Sequence, residues 1–196
     1  MTEAVQVVLA THNEHKVLEL RRILGPDLGP IELVAYDGPE PVEDGETFEE
    51  NALIKARAAA RHTGLPAIAD DSGIAVDALG GAPGIHSARY AGTRRSEDNV
   101  ALLLERLRGV EDRRAQFVCA AAAVLPGGTE HVVRAEWPGR VLEAPAGSGG
   151  FGYDPVFRPD EVEVSAAELT PEQKDALSHR RRAFSALLPW LHAHLS

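Results

Sequence analysis

The sequence predicts an α/β fold, on three observations. Short apolar runs alternate with amphipathic helical segments through residues 5–69, and residues 115–144 read as a meander of strands. Two glycine-rich stretches, 66–92 and 145–159, interrupt these regular elements. A chain of 196 residues suffices for one domain or two closely joined lobes with a sizeable core. Its net charge of −10 argues against a broad nucleic-acid-binding surface. A small anionic substrate would need a locally basic pocket and a divalent cation. Cys119 is the lone cysteine, set in the apolar run QFVCAAAAV, so no internal disulfide is expected and the thiol reads as a buried spectator. The N-terminal MTEAVQVVLATHN lacks the regions of a signal peptide, and no apolar run reaches the roughly 18 residues of a membrane span. A cytoplasmic protein without a membrane partner is the expectation.

Residues 5–10, VQVVLA, read as a buried strand. EHKVLELRRIL follows with apolar residues at 17, 20, 23 and 24, one face of a helix that Asn13 can cap. IELVA, 31–35, reads as a second strand, and the acid-rich segment from Tyr36 to Glu46 as an exposed loop. Thr47 with Glu50 forms a capping-box pattern for a long helix that carries Ala52, Ala56 and Ala59 on one stripe and Gly64 past its end. Ala67-Ile68-Ala69 reads as a short strand that stops on Asp70 and Asp71. Ser96 is expected to cap a helix to about Leu107, with its core face at 100, 103, 104 and 107 and Gly109 ending it. Residues 115–125 and TEHVVRAEW are expected to pair across Pro126-Gly127-Gly128, with GRVLEAP as a third strand. Thr170-Pro171-Glu172-Gln173 starts another helix, and Pro189 is expected to kink or end the last one.

Five places carry candidate chemistry, each with a plainer reading beside it. Asp70-Asp71-Ser72-Gly73 offers paired acids for catalysis or a Mg²⁺ seat, and is equally good turn composition. Thr11–Lys16 presents free backbone N–H groups and a lysine at a helix start, an anion site or an ordinary strand-to-helix turn. Glu43, ahead of the long helix, could join Asp71 at a metal or remain a solvated loop acid. In PAGSGGFGYDPVFRP, glycines beside Phe151 and Tyr153 suit a planar heterocycle, or plug the core. Lys174, His179, Arg180, Arg181 and Arg182 form a local basic run that could hold phosphates or a base carbonyl, or line a solvated face.

Taken together, VVLATHNEHK, ETFEENALIKARAAA, PAIADDSGIAVDALGGAPGIHSARYAG, EAPAGSGGFGYDPVF and ELTPEQKDALSHRR resemble one family. It is the Ham1-like purine nucleoside triphosphate pyrophosphatases, also called inosine or xanthosine triphosphate pyrophosphatases (ITPases). The segments occur in the family's order and cover nearly the whole chain. The resemblance implies an elongated α/β protein, a single ITPase-like domain over residues 1–196, with a mixed sheet flanked by helices and two lobes around a substrate cleft. It implies a homodimer that uses Mg²⁺ to hydrolyse ITP, dITP and XTP to the monophosphate and pyrophosphate. By position, Thr11, Asn13 and Lys16 match the triphosphate loop, Asp71 the general base and metal ligand, and Ser72 a substrate contact. Phe151, Gly152, Tyr153 and Asp154 match the base-pocket loop; Lys174, His179 and Arg180 match the C-terminal contacts to the 6-keto group and the phosphates.

The chain departs from the family pattern in two respects. His12 and His15 stand where many relatives have glycine or another small residue, and Val42 stands where several have a metal-linked glutamate, with Glu43 the nearest substitute. A Maf-like pyrophosphatase of modified pyrimidine nucleotides is a second enzyme reading. A nucleotide-binding regulator without catalysis is a reading of another class, against which Asp70, Asp71 and Lys16 argue.

Overall fold

The computed structural model describes residues 4–195, with the backbone alone described at Pro26. Met1, Thr2 and Glu3 of the segment read for a targeting signal lie outside the described residues. Six strands, β1 (Val5–Leu9), β2 (Ile31–Ala35), β3 (Ala67–Val76), β4 (Arg114–Val124), β5 (Glu130–Val141) and β6 (Phe157–Pro159), form one sheet in the order β2-β1-β3-β4-β5-β6. β1 runs parallel to β2 and β3, whereas β5 and β6 are antiparallel, so the sheet is mixed. The helices are α1 (Glu14–Leu24), α2 (Phe48–Thr63), α3 (Ser96–Arg106), α4 (Pro171–Leu177) and α5 (His179–Leu195). No described helix is long and apolar enough to cross a membrane.

The chain divides into two compact units, each with its own core. The first holds the chain up to Asp71, Cys119–Ala135 and the chain from Arg180 onward; the second holds Ser72–Val118 and Glu136–His179. In the first unit Leu20, Ile23 and Leu24 of α1 and Phe184, Leu187 and Leu191 of α5 pack with Val7, Leu9, Ile68 and Cys119 of the strands. The alanine stripe of α2 is buried as the sequence predicts, and Gly64 adopts the left-handed conformation that ends this helix. In the second unit Val100, Leu103 and Leu107 from and after α3 join Phe117, Trp137 and Phe157.

Five local expectations are corrected. β3 does not stop at the acids but runs through Asp70, Asp71 and Ser72 to Val76. The turn propensity of Asp-Asp-Ser-Gly yields because both carboxylates find cations, described below. GRVLEAP is not a separate strand: Gly139–Val141 end β5, and β6 supplies the antiparallel neighbour. Ser96 is the first helical residue of α3 rather than its cap, and Thr93 Oγ1 accepts the Arg95 N–H just ahead of it. Thr47 caps α2 through the Glu50 N–H, but the Glu50 carboxylate accepts from Glu46 rather than closing the box on Thr47. Finally, of the two outcomes expected at Pro189, ending the helix is excluded, since α5 continues across it to Leu195. The missing N–H strands the Ser185 carbonyl, which lies on the exposed side of the helix where water can bond it.

Candidate active site

β1 delivers the chain to a short loop and α1 begins at once. Asn13 accepts the Lys16 N–H at 3.2 Å, the cap the sequence predicts, and Thr11 Oγ accepts the Asn13 N–H at 3.1 Å. These two bonds fix the loop ahead of the helix start, whose remaining N–H groups and positive dipole end favour an anion. The Lys16 side chain runs to β3, where its Nζ lies 3.0 Å from Asp70 Oδ2. Arg180, at the start of α5, reaches the same oxygen with Nε at 3.3 Å and donates from Nη1 to Glu19 at 2.9 Å. Charges therefore alternate along Lys16, Asp70, Arg180 and Glu19, all in the first unit.

This arrangement separates the two acids of the motif. Successive side chains of a strand point to opposite faces, so Asp70 shares the α1 and α5 face with Ile68, and Asp71 points the other way. Burial alone would raise the Asp70 carboxyl, but Lys16, Arg180 and Lys55 outweigh it and hold Asp70 well below the usual carboxylate range. Asp70 is thus held ionised between Lys16 and Arg180. Cys119 Sγ lies 4.0 Å from Asp70 Oδ2; burial and that carboxylate push the thiol far up, so it is the inert spectator the sequence predicts.

Asp71 meets α2. Lys55 Nζ lies 3.1 Å from Asp71 Oδ1 and 3.1 Å from Glu43 Oε2. Lys55 is a site residue that sequence reasoning missed. Its signal was present: a lysine beside Ala52, Ala56 and Ala59, on the stripe otherwise given to small buried residues. Glu43 is brought there by its loop, which is pinned to the start of α2. The Gly45 N–H donates to Asn51 Oδ1 at 2.9 Å, and a Cβ at Gly45 would sit 2.7 Å from that oxygen. Burial raises the Asp71 carboxyl; Lys55 and Lys16 oppose this, Glu43 adds to it, and the net direction is up. Burial would lower Lys55, but Asp71, Asp70 and Glu43 outweigh it, so the ammonium is retained. Asp71 Oδ2 is buried and has no hydrogen-bond partner among the described residues.

The donors fit a small hard cation. Among the described residues no group of three or more His, Cys, Asp or Glu is placed to hold an ion. Mg²⁺ does not require one, since it is commonly held by one or two carboxylates, waters and substrate phosphates. Glu43 and Asp71, whose Oδ2 is orphaned, are two carboxylates that could supply such donors.

The second unit holds the other predicted residues. Ser72 opens it within β3, and Gly73 follows against the Ser87 turn, where Ser87 Oγ accepts the Ile74 N–H at 2.9 Å. A Cβ at Gly73 would come 2.5 Å from the Gly84 carbonyl oxygen and collide with Ser87 Oγ. Gly73→Ala is therefore expected to destabilise by about 1–3 kcal/mol, the usual range for overpacking, measured by urea denaturation.

Asp154 organises the glycine loop. It is buried, and its Oδ2 accepts the Phe151 N–H and the Lys174 ammonium, each at 2.8 Å. Gly150, at φ +67°, lies so close to that carboxylate that a side chain there would strike it. Lys174 Nζ also stands 4.8 Å from the centre of the Phe151 ring, a cation–π distance. Gly152 takes a left-handed conformation at φ +63°. The expectation of two flat faces divides here. Phe151 is half-buried, whereas Tyr153 belongs to the core and its hydroxyl donates to the Ser87 carbonyl at 2.7 Å. His179 stacks on Phe117 with ring centres 4.8 Å apart and planes 12° from parallel.

The basic run is not one surface. Lys174 pairs with Asp154, Arg180 with Glu19 and Asp70, and Arg181 with Asp27. Ser178, with an extended backbone, separates α4 from α5. The first unit thus carries Thr11, Asn13, Lys16, Glu43, Asp71 and Arg180; the second carries Ser72, Phe151, Gly152, Tyr153, Asp154, Lys174 and His179.

Fold and side chains together define an α/β protein with a buried carboxylate–lysine centre beside a helix start. A sequence model of the Ham1 family matches residues 7–190. A dITP/XTP pyrophosphatase of Leifsonia xyli is 56% identical over 192 residues, covering 96% of each chain. The solved Ham1 protein of Staphylococcus aureus superposes with a TM-score of 0.86 at 37% identity, covering 96% of this chain and 99% of its own. A nucleoside-triphosphatase, dITP/XTP pyrophosphatase, from Mycobacterium abscessus gives 0.76 at 48% identity, covering 95% and 100%. The chain belongs to the Ham1 family.

Proposed function

We propose that this chain hydrolyses dITP, ITP and XTP to the nucleoside monophosphate and pyrophosphate, clearing them from the nucleotide pool before they enter DNA or RNA. The observation that carries the reading is Asp71, buried beside Lys55 and Glu43 in the unit that also presents Lys16 at the start of α1. The relatives' name, dITP/XTP pyrophosphatase, at about half identity over nearly the full chain, supports dITP and XTP.

Residue by residue, the reading assigns the triphosphate to Thr11, Asn13, Lys16 and the α1 start, and a further contact to Ser72. The purine goes to Phe151, Gly152 and Tyr153, with Asp154 and Lys174 shaping that loop and Lys174, His179 and Arg180 serving the 6-keto group and the phosphates. Asp71 is the general base: its raised proton affinity suits it to take the proton of the water attacking the α-phosphorus. Lys16 stabilises charge on the departing pyrophosphate. Glu43 and Asp71 would hold a divalent cation, Mg²⁺ in this reading, which when bound draws charge from the phosphates. Donors facing a 6-keto oxygen admit hypoxanthine and xanthine; adenine's amino group would leave them unpaired, at about 1–3 kcal/mol each. We further propose a cytoplasmic homodimer, each chain a single two-lobed ITPase-like domain without a nucleic-acid partner.

The test is pyrophosphate release from dITP, XTP, dGTP and dATP, with and without Mg²⁺. Release from dITP and XTP at least tenfold faster than from dATP, and only with the metal, is expected. Equal rates on all four would reject the substrate assignment.

A further inference from the structure

Lys55 is the one cation in direct contact with both acids assigned to the metal among the described residues, and its position makes it more than a salt-bridge partner. Its Nζ stands 3.1 Å from Glu43 Oε2 and 3.1 Å from Asp71 Oδ1, so a single ammonium pairs with both carboxylates from between them. We propose that Lys55 is the resident cation of this acid pair and competes with the divalent ion for it. Metal alone then binds weakly, and metal accompanied by nucleotide binds well.

The surroundings dictate this coupling. Lys55 springs from α2 between Ala52, Ala56 and Ala59, residues packed so tightly that the helix cannot retreat. Only the flexible four-carbon stem can carry the ammonium elsewhere. The neighbouring acid, Asp70, already receives Lys16 and Arg180. A displaced, half-buried ammonium needs a replacement anion, since an unpaired buried charge is strongly disfavoured. A nucleotide phosphate brings that anion together with the metal. Two carboxylates thus serve two cations in turn, and the exchange links cation entry to substrate entry. This inference rests on the reading that Glu43 and Asp71 hold the metal.

The experiment measures Mn²⁺ binding without nucleotide, by the loss of the free-ion electron paramagnetic resonance signal, on the whole chain. Lys55→Gln is expected to bind Mn²⁺ at least tenfold more tightly than the unaltered protein, and Lys55→Arg to remain as weak. Equal or weaker binding by folded Lys55→Gln overturns the inference. Should that variant fail to fold, the unaltered protein is labelled with acetic anhydride and its peptides weighed. Mn²⁺ at a concentration that occupies the site should raise acetylation of Lys55 severalfold relative to Lys174; unchanged or reduced labelling overturns the inference. The two ideas fail separately. Absence of dITP hydrolysis rejects the function, whereas metal-dependent hydrolysis with no gain in Mn²⁺ affinity rejects only the role of Lys55.

Discussion

Asp71→Asn is expected to lower kcat on dITP by about 10²–10⁴-fold, the usual contribution of a positioned general base. The fold should survive. Folding raises the Asp71 pKa, so between the ordinary carboxylate value and the raised one the folded chain holds more protons than the unfolded chain. Ionised Asp71 is therefore a liability to stability that disappears as pH falls below that window. A neutral asparagine removes the liability and leaves Lys55 its contact with Glu43. Loss of turnover with little change in Tm, read by steady-state kinetics and thermal denaturation, is the signature. Turnover within threefold of the unaltered enzyme would remove Asp71 from its role. As a base Asp71 must be ionised, so kcat/KM should fall on the acid side as its carboxyl takes up a proton, and Asp71→Asn should remove that dependence.

The second large effect falls on stability. Arg180→Met is expected to cost about 3–5 kcal/mol, since it removes the guanidinium that the buried Glu19 and Asp70 carboxylates share. For a chain of this length that corresponds to a fall in Tm of about 6–20 °C. Adding Glu19→Gln should restore part of the loss, because the two residues are in direct contact and their effects are not additive. A fall of less than about 2 °C would show that the alternating charges do not hold this unit together. The pH dependence has a definite sign. The Asp70 pKa is lowered on folding, so its contribution is complete above the ordinary carboxylate pKa and is lost as pH falls through the lower folded value. Asp70→Asn should therefore flatten the acid-side decline in stability while lowering stability at neutral pH, measured by urea denaturation from pH 2 to 7.

Much of this molecule is legible in its residues. α1, α2 and β2 occupy the predicted segments because each signal is local: an Asn13 or Thr47 cap, an apolar period, a glycine at the α2 end. The family motifs likewise lie in the sequence itself, and the Ham1 match spans residues 7–190. Long-range effects were less visible. Pro189 breaks a local rule and is tolerated because the carbonyl it strands faces solvent. Tyr153, read as a flat face or a core plug, is buried with its hydroxyl donating to the Ser87 carbonyl, a contact that no local pattern announces.

The acid pair shows the division best. The sequence by itself determined that two carboxylates stand together after a buried apolar run, and that such a motif belongs with a phosphate loop and a glycine-aromatic segment. Only the tertiary structure decided that they sit within a continuous strand, and that alternation turns them to opposite faces. There Arg180, 110 residues away, holds one acid firmly ionised, while Lys55 and burial tune the other upward. The reason is physical: a carboxyl's proton affinity depends on burial and on charges within a few ångströms, and chain order does not specify which charges those are.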